Sequence, residues 1–181
     1  MQSIWNNLQG PNSFHKLNKI QIIGCRALHD VFPFVVAKEL RQLKVLEISR
    51  SINIENIVVK SHRGGALGKH KNISDSVSME FEEDDAVFTK LEENKGDDAI
   101  EIVFMELKEL YLEHLLRLRS FCRESYNFKF PALEKASVIR CPNMQTFCHG
   151  NLITPSLSQV RFGWSQEDLR WDGDLNTTLK R

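Results

Sequence analysis

The sequence predicts an α/β solenoid: a coil of short repeats with a short-stranded parallel sheet on its concave face and an irregular or short-helical convex side. Three observations predict it. The stretch FMELKELYLEHLLRLRSFC is followed one period later by FPALEKASVIRCPNMQTFC, with eight apolar positions in register. They are Phe104/Phe130, Leu107/Leu133, Leu110/Ala136, Leu112/Val138, Leu115/Cys141, Leu118/Met144, Phe121/Phe147 and Cys122/Cys148, so the period is 26. Within the first copy, Leu110 and Leu112 alternate with Tyr111, as the residues of a strand do. Beyond the strand an apolar residue returns every third position, at Leu115 and Leu118, which no single strand or helix would give.

That combination is the pattern of a leucine-rich repeat, in which a short strand leads into an arc that keeps returning side chains to a shared core. One unit cannot bury its own apolar edges, but stacked neighbours can. A continuous amphipathic helix also accommodates Leu107, Leu110, Leu115 and Leu118. The second copy rules it out, because Phe130-Pro131, Cys141-Pro142 and the β-branched Val138-Ile139 pair break helix geometry.

Taken in order, residues 1–13 read as the back half of a repeat that begins before this chain, with Ile4, Trp5 and Leu8 as its apolar remains. The first strand, near Lys19–Ile23, is then expected to leave an unpaired sheet edge. The first full repeat opens at Phe14 and runs through Leu17, Ile20, Ile22, Cys25, Leu28 and Val31. Phe32-Pro33 then starts a short helix with Val35, Val36, Leu40 and Leu43 inward. The second repeat takes Leu40, Leu43, Leu46, Ile48 and Ile57, with Ser51 where the first has Cys25. The third opens only at Phe104, well over two periods beyond Leu40. Subtracting the one period that a repeat needs leaves an insertion at roughly 61–98. The fourth is Phe130 to Cys148, and a partial fifth holds Leu157, Val160 and Phe162. The polar tail RWDGDLNTTLKR is expected to fold over the end of the stack. The whole of 1–181 is thus one leucine-rich-repeat domain of about four and a half repeats, interrupted by that insertion.

The insertion is basic at its start, and residues 80–101 hold ten carboxylates against Lys90 and Lys95. Such a segment buries too little apolar surface to offset its ordering entropy, so it is expected to be a disordered rim loop, or else an acidic contact for a basic partner. Its GGALGK is not a phosphate-binding loop. Only three residues separate Gly64 from Gly68, and His70 stands where Ser or Thr would hold magnesium.

Lys+Arg and Asp+Glu both number 24, which gives no sign of a nucleic-acid partner. No apolar run approaches a membrane span, and the opening MQSIWNNLQG is not a secretory leader. The triplets at Asn72 and Asn176 are therefore expected to stay unglycosylated. A disulfide framework is not expected from Cys25, Cys122, Cys141 and Cys148 in a non-exported chain. Cys141 and Cys148 lack the spacing and the second pair of a zinc site. Cys25 and Cys141 instead share the crowded corner where the chain leaves its strand, which suits a small, buriable side chain. No nucleophile or metal constellation involves the six histidines, so no enzyme and no cofactor is expected.

The Ile4-Trp5 pair, FPFVVAKELRQLKVLEIS, Ile54-Glu55 with Ile57-Val58, FPALE, Cys141-Pro142 with Met144, Thr154-Pro155, and Trp171 with GDLNTT carry a resemblance. Together they resemble the C-terminal leucine-rich-repeat region of plant coiled-coil nucleotide-binding (NB-ARC type) disease-resistance proteins. Ala136 departs from that pattern, as do His114-Leu115-Leu116 and Asn56. The resemblance implies a protein-binding module of an intracellular, cytoplasmic immune receptor. It would sense a pathogen effector or a guarded host protein and contact a nucleotide-binding domain, although this chain includes no nucleotide site. A stand-alone adaptor or ubiquitin-ligase substrate receptor is the alternative.

The concave face is where such a partner is expected. Residues between the two inward positions of each strand form a central column of Gln21, Glu47, Tyr111, Ser137 and Arg161. Lys19, Val45, Glu109, Lys135 and Gln159 flank it on one side, and Ile23, Ser49, Glu113, Ile139 and Gly163 on the other. Tyr111 is the expected anchor, with Arg161 and Glu113 setting charge, and Ile23 and Ile139 adding apolar bulk.

Overall fold

Two inward side chains per strand, repeated at a fixed spacing, give a coil whose turns differ little in backbone. The computed structural model describes residues 14, 16–60 and 100–180. The expectations for residues 1–13 and for the insertion at 61–98 lie outside the described residues.

The first turn consists of β1 (Lys19–Ile23), β2 (Asp30–Pro33) and a short helix, α1 (Phe34–Glu39). The second has β3 (Val45–Ser49), β4 (Asn56–Val59) and, after the insertion, β5 (Glu101–Val103). The third has β6 (Glu109–Glu113), β7 (Ser120–Cys122) and β8 (Asn127–Lys129). In the fourth, β9 (Lys135–Ile139) is followed by β10 (Leu152–Ile153). The last part holds β11 (Val160–Arg161), a 3-10 turn at Gln166–Asp168, β12 (Leu169–Arg170) and α2 (Leu175–Leu179).

The strands that open the turns form one sheet, ordered β1-β3-β6-β9-β11-β12. All its pairs are parallel except the last, where β12 returns antiparallel on β11. Val45 pairs with Glu109, so the second and third turns remain in register although the insertion separates them in sequence. The back is more regular than an irregular arc. It carries two three-stranded parallel sheets, β2-β4-β7 and β10-β8-β5. In the first turn α1 takes the place of a third-side strand, and its Phe34 ring lies 5.8 Å from that of Tyr126. Pro33 caps that helix, with Phe34 and Ala37 buried, whereas Val35 and Val36 are only half-buried.

The core runs along the coil axis and is lined by the expected columns. Ile20, Ile22, Leu46, Ile48, Leu110, Leu112, Ala136, Val138 and Val160 are all buried on the inner side of the concave sheet. In the third and fourth turns Phe104 stacks on Phe130 at 5.2 Å and Phe121 on Phe147 at 4.5 Å. Such ring pairs add to area burial and tie one turn to the next. At Gly150 the backbone passes so close to Tyr126 that an added Cβ would lie 2.1 Å from its carbonyl oxygen.

Each of the first four concave strands is followed by a residue with left-handed backbone: Gly24 (φ 69°), Arg50 (53°), His114 (54°) and Arg140 (54°). The N–H groups of the first three reach across to the next turn, Gly24 to Ser49 O, Arg50 to Glu113 O and His114 to Ile139 O. One residue further on, Ser51 Oγ accepts from the Cys25 N–H at 3.0 Å and donates to Ser49 O, filling the corner where Cys141 is buried in the fourth turn. Cys25, in the first turn, is exposed.

The tail folds over the end of the stack, as expected. Asn176 in α2 presents its side-chain amide to the back of the fourth turn. Its Oδ1 accepts from the N–H groups of Phe147 (2.7 Å) and Cys148 (3.2 Å), and its Nδ2 donates to Cys148 O at 3.2 Å. Asp174 caps α2 by accepting from the Thr177 N–H, and Leu175 and Leu179 are buried.

Candidate functional site

On the concave sheet the outward rows are set by strand register. Gln21 aligns with Glu47, Glu47 with Tyr111, Tyr111 with Ser137, and Ser137 with Arg161. The flanking rows align as well, Lys19–Val45–Glu109–Lys135 and Ile23–Ser49–Glu113–Ile139. Gln21 Nε2 donates to Glu47 Oε2, closing the first two places of the central column.

The middle of the face is a three-residue polar cluster. The Tyr111 hydroxyl donates to Glu109 Oε2 at 3.0 Å, and Lys135 Nζ donates to Glu109 Oε1 at 2.8 Å. The Lys135 hydrogen bond, followed by that of Tyr111, holds the Glu109 carboxyl below its ordinary value. Burial, reinforced by the bond to Glu109, pushes the Tyr111 phenol up. The hydrogen bond to Glu109 also raises the Lys135 ammonium. The ion pair is open to water, so it orients the tyrosine more than it stabilises the fold.

Beside this cluster lies an open cleft of about 530 Å³, with Tyr111, Lys135, Ser137, Gln159, Arg161 and Leu169 among its lining residues. Leu169 comes from β12, an antiparallel return that no repeat pattern announces. Tyr111, Glu113 and Arg161 are half-buried, with part of each side chain open to solvent. Ile23 is 54% exposed.

Two of the expected contact residues are buried: Ser137 lies at the floor of the cleft and Ile139 beside the closing turn. Ser137 is 3% exposed and Ile139 2%. Ser137 is short and lies between Tyr111 and Arg161 on the adjoining strands, only ~4.8 Å away on either side, so their larger side chains shade it. Ile139 neighbours the place of Gly163, where an added Cβ would lie 2.3 Å from the Asp168 carboxylate, because the 165–168 turn folds back there. Ser165 fixes that carboxylate by donating from its N–H and its hydroxyl, both at 2.8 Å.

The thiols offer little chemistry. Cys122, Cys141 and Cys148 are buried and unbridged. Burial pushes the Cys148 thiol up to about 11 and raises that of Cys122 strongly, so neither is a thiolate at neutral pH. Among the described residues no group of three or more His, Cys, Asp or Glu could hold a metal ion. Among them, too, no helix is long and apolar enough to cross a membrane.

The family model described as "Plant disease resistance protein RPS2-like, leucine-rich repeats" matches residues 1–52. Over that stretch the chain is similar to leucine-rich repeats of plant disease-resistance proteins. The match takes in β1, β2, α1 and β3, and the concave register carries the same architecture on through β11. No curated protein and no solved structure matches the chain. A solenoid of this kind is a protein-interaction scaffold, and its binding chemistry lies in the side chains it displays.

Proposed function

We propose that this chain is the protein-recognition module of a cytoplasmic plant immune receptor, and that it takes a pathogen effector or a guarded host protein on its concave face. The observation that carries the reading is Tyr111. Its neighbours Leu110 and Leu112 are fully buried, while its own ring stands on the outer side of the sheet, on the wall of a cleft that Arg161 also lines. Tyrosine and arginine beside a cleft are the residue types that dominate binding energy at protein interfaces. The Glu109 contact holds the ring in place before a partner arrives, which reduces the ordering cost of binding.

A panel of candidate effectors and host proteins screened against the wild-type chain, Tyr111→Ala and Arg161→Glu tests this reading. Tyr111→Ala should leave the thermal transition within a degree or two, at roughly ±0.5 kcal/mol, because the ring is outside the core. It should weaken a genuine partner by at least about 1 kcal/mol. A partner bound equally by the wild type and both variants would place the contact elsewhere. A Tyr111→Ala chain that fails to fold would overturn the assignment of inward and outward positions.

A further inference from the structure

The corner between the concave sheet and the β2-β4-β7 sheet carries a second surface, independent of the Tyr111 cleft. Its residues are 24–29, 50–55, 114–119 and 140–145, which hold five arginines and a single carboxylate, Glu55. Backbone bonds hold the register on both sides of this corner: Arg50 N–H to Glu113 O before it, and Glu55 N–H to His29 O and Arg119 N–H to Glu55 O after it. Two asparagine side chains pin it between, Asn53 to Arg26 O and Asn143 to Leu116 O.

Within that frame Ile52, Leu116 and Pro142 occupy equivalent places on consecutive turns. Ile52 is 40% exposed, Leu116 49%, and Pro142 is exposed beside them. On one side of this apolar strip runs the left-handed column Arg50, His114 and Arg140, in which Arg140 Nη1 donates to His114 Nε2 at 3.2 Å. On the other side Arg117 and Arg119, both exposed, stand together on the third turn, where the second turn has Asn53 and Glu55 and the fourth has Asn143 and Gln145. None of the arginines of this corner is held in an ion pair among the described residues. An aliphatic strip with a cationic column along one side and a pair of arginines at the middle of the other is the complement of an apolar ridge flanked by carboxylates.

The spacing selects the partner's conformation. Successive turns are ~4.8 Å apart, and an α-helix lying along the strip presents a side chain every ~5.4 Å, a mismatch of only about 0.6 Å per step. An extended segment presents one every ~6.7 Å and falls out of step by roughly 2 Å each time. We infer that this corner docks an acidic amphipathic helix of a partner protein, its apolar ridge on Ile52, Leu116 and Pro142 and its carboxylates on the flanking arginines.

The test uses the full chain and a fluorescein-labelled synthetic helix with leucines at i, i+3, i+4 and i+7 flanked by glutamates. A scrambled peptide of the same composition is the control. In anisotropy titrations at physiological salt, the amphipathic peptide should bind at least about tenfold more tightly than the scrambled one. Leu116→Asp and Arg140→Glu should each weaken it by about fivefold or more, Ile52→Asp should do the same, and Tyr111→Ala should leave it unchanged. Each variant's melting curve checks that it is folded, and the exposed positions make that the expected result. Equal binding of the scrambled peptide would reduce the corner to unspecific charge and overturn the proposal. So would loss of binding on Tyr111→Ala alone, or full displacement of the peptide by a DNA duplex. Absence of saturable binding would also overturn it, whether because a second copy of the chain or the chain's own acidic run occupies the corner; a shift in oligomeric state on Leu116→Asp identifies the former.

Discussion

Tyr111 shows how a single residue is prepared by its neighbours. Its phenol is raised first by burial and then by the Glu109 carboxylate, and the same carboxylate is lowered by the Lys135 and Tyr111 hydrogen bonds. A carboxyl held below its ordinary value contributes its stabilisation fully above that value and loses it as pH falls through the folded-state value. On the alkaline side, replacing Glu109 by Gln should bring the Tyr111 phenol part of the way back down, because burial remains. The chain has two tyrosines, so an ultraviolet titration in a Tyr126→Phe background reads Tyr111 by itself. An unshifted midpoint would mean that the hydroxyl–carboxylate contact is not kept in solution. Alternation in the sequence is enough to place Tyr111 outward. It does not reveal that Ser137 and Ile139 are covered, because their exposure depends on the size of neighbours one turn away and on a return turn far along the chain. Nor do arginine or histidine at positions 50, 114 and 140 announce left-handed backbone; only Gly24 carries that signal.

Among the elements, the concave strands are legible because two inward residues per strand mark each one, and the third-position returns at Leu28, Ile54, Leu118 and Met144 fix the corner after it. The two back sheets are not. Their strands are four residues long or shorter; those of β2-β4-β7 are buried on both faces, so alternation is lost, and those of β10-β8-β5 are too short for it to register. The closing elements belong to no repeat, which is why β12 and its Leu169 wall leave no trace in the spacing. Yet the end of the stack depends on them. Asn176 stands in for a further turn by meeting the N–H groups of Phe147 and Cys148 and the Cys148 carbonyl. Asn176→Ala should leave these backbone groups unmet and destabilise the chain by about 1–3 kcal/mol in denaturant titration. Asn176→Asp can accept but not donate, so it should fall between the two. Equal stability of all three would show that water serves the edge as well as the amide does.

For the molecule as a whole, stability accrues turn against turn, so an interruption is tolerated wherever the register on both sides is unaffected. The insertion meets that condition. In the third turn Phe128 of β8 follows Cys122 of β7 after a short connection, whereas their counterparts in the second turn, Val58 and Ile102, have the whole insertion between them. Removing 61–98 leaves Val58 and Ile102 at the same sequence separation as Cys122 and Phe128, a spacing the third turn already uses. Val58 pairs with Cys122, and Ile102 with Phe128, so neither strand has to move to accept the shorter connection. Closing a loop costs entropy that grows as the logarithm of its size, so the deletion should gain up to roughly 1–2 kcal/mol. The Δ61–98 chain is therefore expected to keep the far-ultraviolet circular dichroism of the stacked strands and to melt at the same temperature or higher, while binding through Tyr111 persists. Loss of the cooperative transition on deletion would mean that the second turn needs the insertion to close, and that equal spacing between turns is not enough to join them.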